Sequence, residues 1–311
     1  QGSDGNATLI RRIDYSNDTA VAELKGNFIN SKYCRTAAGN QSYGYFTAPS
    51  ISTIDRIDYA NDDITAAARG PLSAVSKYGG TAIGSPAYVY FCGGNVPSPI
   101  VSTVNRLDYS NDNTTTLVKG PLSSAAAQLG ATGNASYGYI TAGVRPTKTS
   151  TVDRIDYSND TATASVKGPL SAAYGYNRGF SSRQNALPTT LTPSGTVDKG
   201  ADGYLSAGPN GPNTGYWAAG YNGQPTSFVD RLDLSNDTAT AVAKGPLSRT
   251  AYNVGAIGNS SYGYIGGGGN PEVSTVDRID YSSDTGTTPT KGPLSLARRG
   301  AKAVGNLSYG Y

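Results

Sequence analysis

The 311-residue chain contains no His and no Met, two Cys, one Trp and only 15% charged residues. Without His there can be no Ser-His-Asp or Cys-His triad, no His-built zinc or copper site, and no common proton shuttle near neutral pH. The two Cys, at 34 and 92, are too few for a disulfide scaffold and fit no metal-site spacing, so they read as small buried residues. A net charge of +3 leaves no polybasic footprint of the kind that nucleic acid demands. No apolar run approaches the roughly 18 residues that a membrane-spanning helix needs. With no leader segment and no initiator Met, the chain reads as one whose Gln1 follows a cut, or as a segment of something longer.

What is present favours strands. Forty Gly and 17 Pro disfavour helix interiors, and much of the apolar area comes from 23 Tyr together with Val, Ile, Leu and Ala. One segment returns six times, as RRIDYSNDT at 11–19, DRIDYANDD at 55–63, NRLDYSNDN at 105–113, DRIDYSNDT at 153–161, DRLDLSNDT at 230–238 and DRIDYSSDT at 277–285. The Asp after its Ile or Leu is spaced by 44, 50, 48, 77 and 47 residues, which is one unit of about 47 with an insertion of about 30 in the fourth interval.

A unit holds four short strand-like segments, a to d, each closed by turn residues. Segment a is small and apolar, b is aromatic (Ser261-Tyr-Gly-Tyr-Ile265), c alternates (Ser274 to Tyr281), and d ends in Lys291. Ser-Asn-Asp-Thr between c and d supplies Asx chemistry for a tight turn, and Gly-Pro-Leu-Ser after d supplies a bend. Four strands per repeat predict an all-β protein, a β-propeller with one blade per unit.

The order of features resembles the kelch repeat: a small-residue strand, an aromatic strand ending in Gly-Gly (Tyr90 to Gly94, Tyr264 to Gly268), then Val-x-x-Ile-Asp-Tyr. It departs from kelch in lacking the Trp usual after the c–d turn. The longer pattern STVDRIDYSNDTATA, KGPLS, GN, SYGY resembles the kelch-like repeats of large structural proteins in marine cyanobacterial phages. That resemblance implies a virion component, of the tail-fibre, baseplate or other host-facing kind.

The chain starts at segments c and d (Leu9 to Lys25) and finishes with a and b (Arg298 to Tyr311), so the expectation is six blades, the last shared between the termini. The alternative is a boundary falling by accident within a longer array. The Ile-Gly-Gly expected after Tyr311 is lacking, which leaves room for the native chain to continue. On this reading residues 1–311 form one propeller with an insertion at about 181–214.

Arg precedes the recurring Asp by two residues, in the pairs Arg56 and Asp58, Arg106 and Asp108, Arg154 and Asp156, Arg231 and Asp233, Arg278 and Asp280. They are expected to form a structural ion-pair lattice within or between blades. A basic residue also ends each d segment. The insertion breaks the symmetry, and around it fall Tyr204, Tyr216, Trp217, Tyr221 and Asn222, candidates for an aromatic surface that stacks on sugar rings or anchors a protein. The competing reading makes Trp217 a core residue of strand b, aligned with Phe46, Phe91, Ile140 and Ile265.

No catalytic residue, metal or cofactor is expected: copper radical chemistry needs His, and nearly all the Asp fall at repeat positions rather than in an acidic pair. The sequence therefore reads as a non-enzymatic virion structural protein whose partners are other virion proteins or a host cell-surface glycan. The alternatives are a cellular or extracellular kelch-like interaction scaffold and a carbohydrate-active enzyme.

Overall fold

In the strand Val276–Asp280, Val276, Asp277 and Ile279 are all buried, so both faces of an alternating strand are covered. Each blade is sandwiched between two others, which covers the core positions of its middle strands on both sides. The computed structural model describes residues 8–32, 35–75, 78–95, 99–145, 147–181, 213–269 and 271–311. There the chain forms six antiparallel sheets, which we number as blades 1 to 6 from the N-terminus.

Blades 2 to 6 are four-stranded with strands in sequence order; blade 4, for example, runs Gly130–Gly133, Tyr137–Arg145, Thr147–Asp156, Ser165–Lys167. Blade 1 joins the two ends of the chain: Leu9–Asp14 pairs with Glu23–Asn27 on one side and with Tyr309–Gly310 on the other. This is the shared blade expected from the sequence, one strand short. In place of strand a there is a single bridge between Gly305 and Gly310, with reciprocal Val304–Tyr311 backbone hydrogen bonds of 3.0 and 2.7 Å. A two-residue strand b offers too short an edge to template a longer partner.

Strand a is innermost, and Ala37, Ala82, Ala131, Gly179, Ala256 and Ala303, one from each blade, line a narrow axial channel of about 50 Å³. Small residues there let six strands converge. Strand d is outermost and short, as little as Val242–Ala243, which limits the exposed edge. The c–d turn opens on a 3₁₀ turn such as Tyr157–Asn159, with Asp156 accepting from the Ser158 amide at 2.9 Å.

The Gly of each Gly-Pro (Gly-Asn in blade 1) is set by close approach between blades. The Gly120 N–H donates to the Asp160 carbonyl at 2.8 Å, and a Cβ on Gly120 would meet the Ala162 carbonyl oxygen at 1.9 Å. The same contact recurs at all six junctions.

Because strands alternate in direction, the a–b and c–d turns open on one face of the ring and the b–c turns and d–a connections on the other. In blade 5, Arg178–Ser181 is strand a, paired with Thr214–Tyr221 from Arg178↔Ala218 to Ser181↔Gly215. The insertion therefore extends the a–b connection, on the side of the Ser-Asn-Asp-Thr turns; residues 182–212 themselves lie outside the described residues.

Candidate functional site

The recurring Arg and Asp do not pair with each other, which corrects the sequence expectation. Asp58, Asp108, Asp156, Asp233 and Asp280 cap their own c–d turns through backbone amides at 2.8 to 2.9 Å. Each Arg instead reaches the second Asp of that turn in the next blade: Arg56 to Asp112 at 2.7 Å, Arg106 to Asp160 at 2.6 Å, Arg154 to Asp237 at 2.7 Å, Arg231 to Asp284 at 2.8 Å. Arg278 meets Asp18 at 2.7 Å and Arg12 meets Asp62 at 2.8 Å, closing the ring.

The basic residue of strand d joins the same carboxylate, as in Lys119 to Asp160 at 3.2 Å. So does the second Tyr of strand b, with the Tyr90 hydroxyl donating to Asp160 at 3.0 Å. The first Tyr lies under the Arg, with the Arg106 guanidinium carbon 4.0 Å from the Tyr88 ring centre. Burial acts to raise the Asp160 pKa, but the hydrogen bonds from Lys119, Arg106 and Tyr90 outweigh it and hold the group below the usual carboxylate range. Asp18 and Asp62 are lowered for the same balance of reasons. These six clasps are structural.

Burial also removes two members of the expected aromatic surface. Tyr216 and Trp217 are fully buried; Tyr216 donates to Asp284 at 2.9 Å as the blade 5 clasp, and Trp217 packs in the core with Leu170 and Tyr139. Tyr204 lies outside the described residues. Tyr221 and the exposed Asn222 sit at the b–c turn, the opposite end of strand b from the insertion, so the predicted cluster is not brought together.

The asymmetric site is on that b–c and d–a face, where a cavity of about 910 Å³ opens over the axis. Its described lining carries Arg11, Lys32, Arg298, Arg299 and Lys302 with the carboxylate of Glu272, and the buried Arg35, which is paired with Asp55 at 3.0 Å. Glu272 is held by Arg299 at 3.2 Å. Three Tyr form one wall: the Tyr252 ring centre lies 5.9 Å from Tyr176 and 5.6 Å from Tyr221, and Lys148 Nζ stands 4.5 Å from the Tyr221 ring centre.

The backbone two residues before strand a is left-handed in four blades, at Gly79, Gln128, Tyr176 and Asn253, and again at the equivalent Gly300 of blade 1. Gly adopts it freely, whereas Tyr176 holds φ 59° with its hydroxyl accepting from Gln128 Nε2 at 2.7 Å. Recurrence of this conformation from blade to blade makes it a feature of the repeat's d–a turn. Sequence reasoning missed this wall; the Tyr-Asn-x-Gly shared by residues 176–179 and 252–255 is the signal that could have found two of its members.

The chain's likeness to known proteins is one of shape. No family model and no curated protein matches its sequence. Among solved structures it is similar to YjhT, with a TM-score of 0.65 over 88% of this chain and 87% of that one, at 12% identity. That likeness concerns the propeller fold and transfers no activity.

Acid–base chemistry has little to draw on. Of the 22 acidic residues, Asp4, Asp198 and Asp202 lie outside the described residues. Most of the others are caps, clasps or further latches, such as Asp153 with Ser123 at 2.6 Å and Asp230 with Ser171 at 2.7 Å, while Glu23, Asp63 and Glu272 are ion-pair partners nearer the surface. Among the described residues no three His, Cys, Asp or Glu gather to hold a metal.

Proposed function

We propose that this protein is a non-enzymatic, host-facing virion propeller whose axial mouth binds an acidic glycan of the host cell surface. The observation that carries the binding reading is the rim itself, five cations and one carboxylate among its described residues around a Tyr wall, in a chain whose whole net charge is only +3. Guanidinium and ammonium groups pair with carboxylate or sulfate, and Tyr rings stack on the apolar face of a sugar. The virion setting rests on the repeat's resemblance. Six copies of one interlocking clasp suit a rigid display platform, and the opposite face, where the 182–212 connection opens, would meet other virion proteins.

The test has two parts. Purified protein should bind uronate-bearing or sulfated oligosaccharides in preference to neutral ones, with binding weakened at least tenfold by Arg299→Ala with Lys302→Ala and by raised salt. Equal binding to neutral sugars, or none to either, overturns the glycan reading. Mass spectrometry of purified particles should find the chain, and its absence would overturn the virion assignment.

A further inference from the structure

The mouth is basic, yet its described lining includes one carboxylate, and that group stands beside the Tyr wall. Glu272 lies in the b–c turn of blade 6, and Arg299 in the connection from blade 6 to blade 1. Their side chains are 29% and 33% exposed. The contact at 3.2 Å runs from Arg299 Nε to Glu272 Oε1. Among the described residues neither side chain makes a further polar contact, so the terminal guanidinium nitrogens and Glu272 Oε2 are open to a ligand.

This pair adjoins Tyr252. A Cβ placed on Gly269 would lie 3.0 Å from Arg299 Cδ and 3.5 Å from Tyr252 Cζ, the ring carbon that carries the hydroxyl. The Gly269 amide donates to the Tyr252 carbonyl at 3.1 Å, which holds this glycine against the Tyr252 backbone. The bare backbone of Gly269 thus brings the phenol end of Tyr252 and the Arg299 stem onto one surface, with the rings of Tyr176 and Tyr221 on either side of Tyr252. Lys302 marks the direction of the axis, since it lines both the mouth and the axial channel.

A guanidinium only donates hydrogen bonds and a carboxylate only accepts them, whereas a hydroxyl does both. Two hydroxyls on neighbouring carbons of a sugar ring can therefore accept from Arg299 and donate to Glu272 while the apolar face of the ring lies against Tyr252. A carboxylate or sulfate in that place gains the Arg299 hydrogen bonds but meets like charge on Glu272. We infer that the mouth selects a glycan in which neutral and acidic residues adjoin: the neutral ring sits at Tyr252, Arg299 and Glu272, and the acidic residue next to it lies toward the axis beside Lys302. This rests on the acidic-glycan reading and adds a specificity-determining residue to it. Glu272 discriminates against a chain with an acid on every residue, because such a chain must place one of them against it.

Two tetrasaccharides are the probes, one alternating glucuronate with N-acetylglucosamine and one built of galacturonate alone, each titrated calorimetrically into the 311-residue protein at one salt concentration. The alternating chain should bind about tenfold more tightly, although it has half the charge. Glu272→Gln keeps the size of the side chain and removes its charge. It should tighten galacturonate binding about fivefold and leave the alternating chain no tighter. Its Tm should stay within about 1 °C of wild type, because the ion pair it breaks is surface-exposed. Equal binding of the two chains, preference for galacturonate, or a preference untouched by Glu272→Gln overturns this inference and leaves the acidic-glycan reading standing. Binding of neither chain overturns both.

Discussion

Replacing Asp18 by Ala removes the clasp at the junction whose partners are 260 residues apart in sequence, and so tests ring closure with one side chain. Asp18 accepts from Arg278 at 2.7 Å and from the Tyr264 hydroxyl at 3.0 Å, and faces Lys291 at 3.4 Å. Two hydrogen bonds to a charged group contribute about 1.5–3 kcal/mol each. The Arg278 side chain is 22% exposed, so water takes over part of its share. The net cost should be about 2–4 kcal/mol, below the roughly 3–5 of a fully buried broken pair. At roughly 2 °C per kcal/mol, Tm should fall by about 4–8 °C.

The control is Asp160→Ala, whose partners Arg106, Lys119 and Tyr90 reproduce the geometry at an internal junction. In a closed ring the two losses agree to within about 1 kcal/mol, since every junction has two flanking blades. Adding Arg278→Ala to Asp18→Ala should cost little more, because the first change already broke the pair. Urea titration and calorimetry read all four proteins. A loss below about 0.5 kcal/mol for Asp18→Ala, beside a full loss for Asp160→Ala, would refute closure through the clasp.

The lowered pKa of Asp18, Asp62 and Asp160 makes these clasps acid-labile: their contribution is present above the unfolded carboxylate value, near 4, and is lost as pH falls through the folded one. Burial raises Asp55 and Asp230, which contribute with the opposite sign, so Tm measured from pH 7 to 3 should fall only below about pH 4; a flat profile would contradict the ion-pair account. Trp217→Ala should cost about 3–5 kcal/mol as a cavity in the core and leave glycan binding unchanged below its Tm, whereas lost binding with an intact Tm would return Trp217 to the binding surface. Replacing residues 182–212 by a Gly-Asn turn should preserve the blade 5 pairing and change stability by no more than about 1 kcal/mol, checked by circular dichroism and urea titration; unfolding would show that the insertion is part of the core.

Much of the architecture was legible because it is periodic. Alternation in strand c, small residues in strand a and turn chemistry at Ser-Asn-Asp-Thr are local properties, and six copies of the pattern specify blades and their count. The complementary ends, c and d at Leu9 to Lys25 and a and b at Arg298 to Tyr311, announced the shared blade, since an open propeller leaves edges unpaired. The core alignment of Trp217 with Phe46 and Ile265 was readable for the same reason.

Partners across a junction were not legible. Arg154 and Asp156 lie two residues apart on one strand face, so the sequence offers them as a pair, yet Arg154 bonds Asp237 and Asp156 caps its own turn. Spacing along a strand says which face a side chain takes, and only the stacking of blades says what stands opposite that face. The mouth follows the same rule: Tyr176, Tyr221 and Tyr252 come from three different connections, and the Arg and Lys opposite them from others. Sequence by itself determined the repeat, the strand order and the closure, because those rest on local propensity and periodicity. The tertiary structure alone decided which charges neutralise one another, because electrostatic pairing depends on distances between segments up to 260 residues apart.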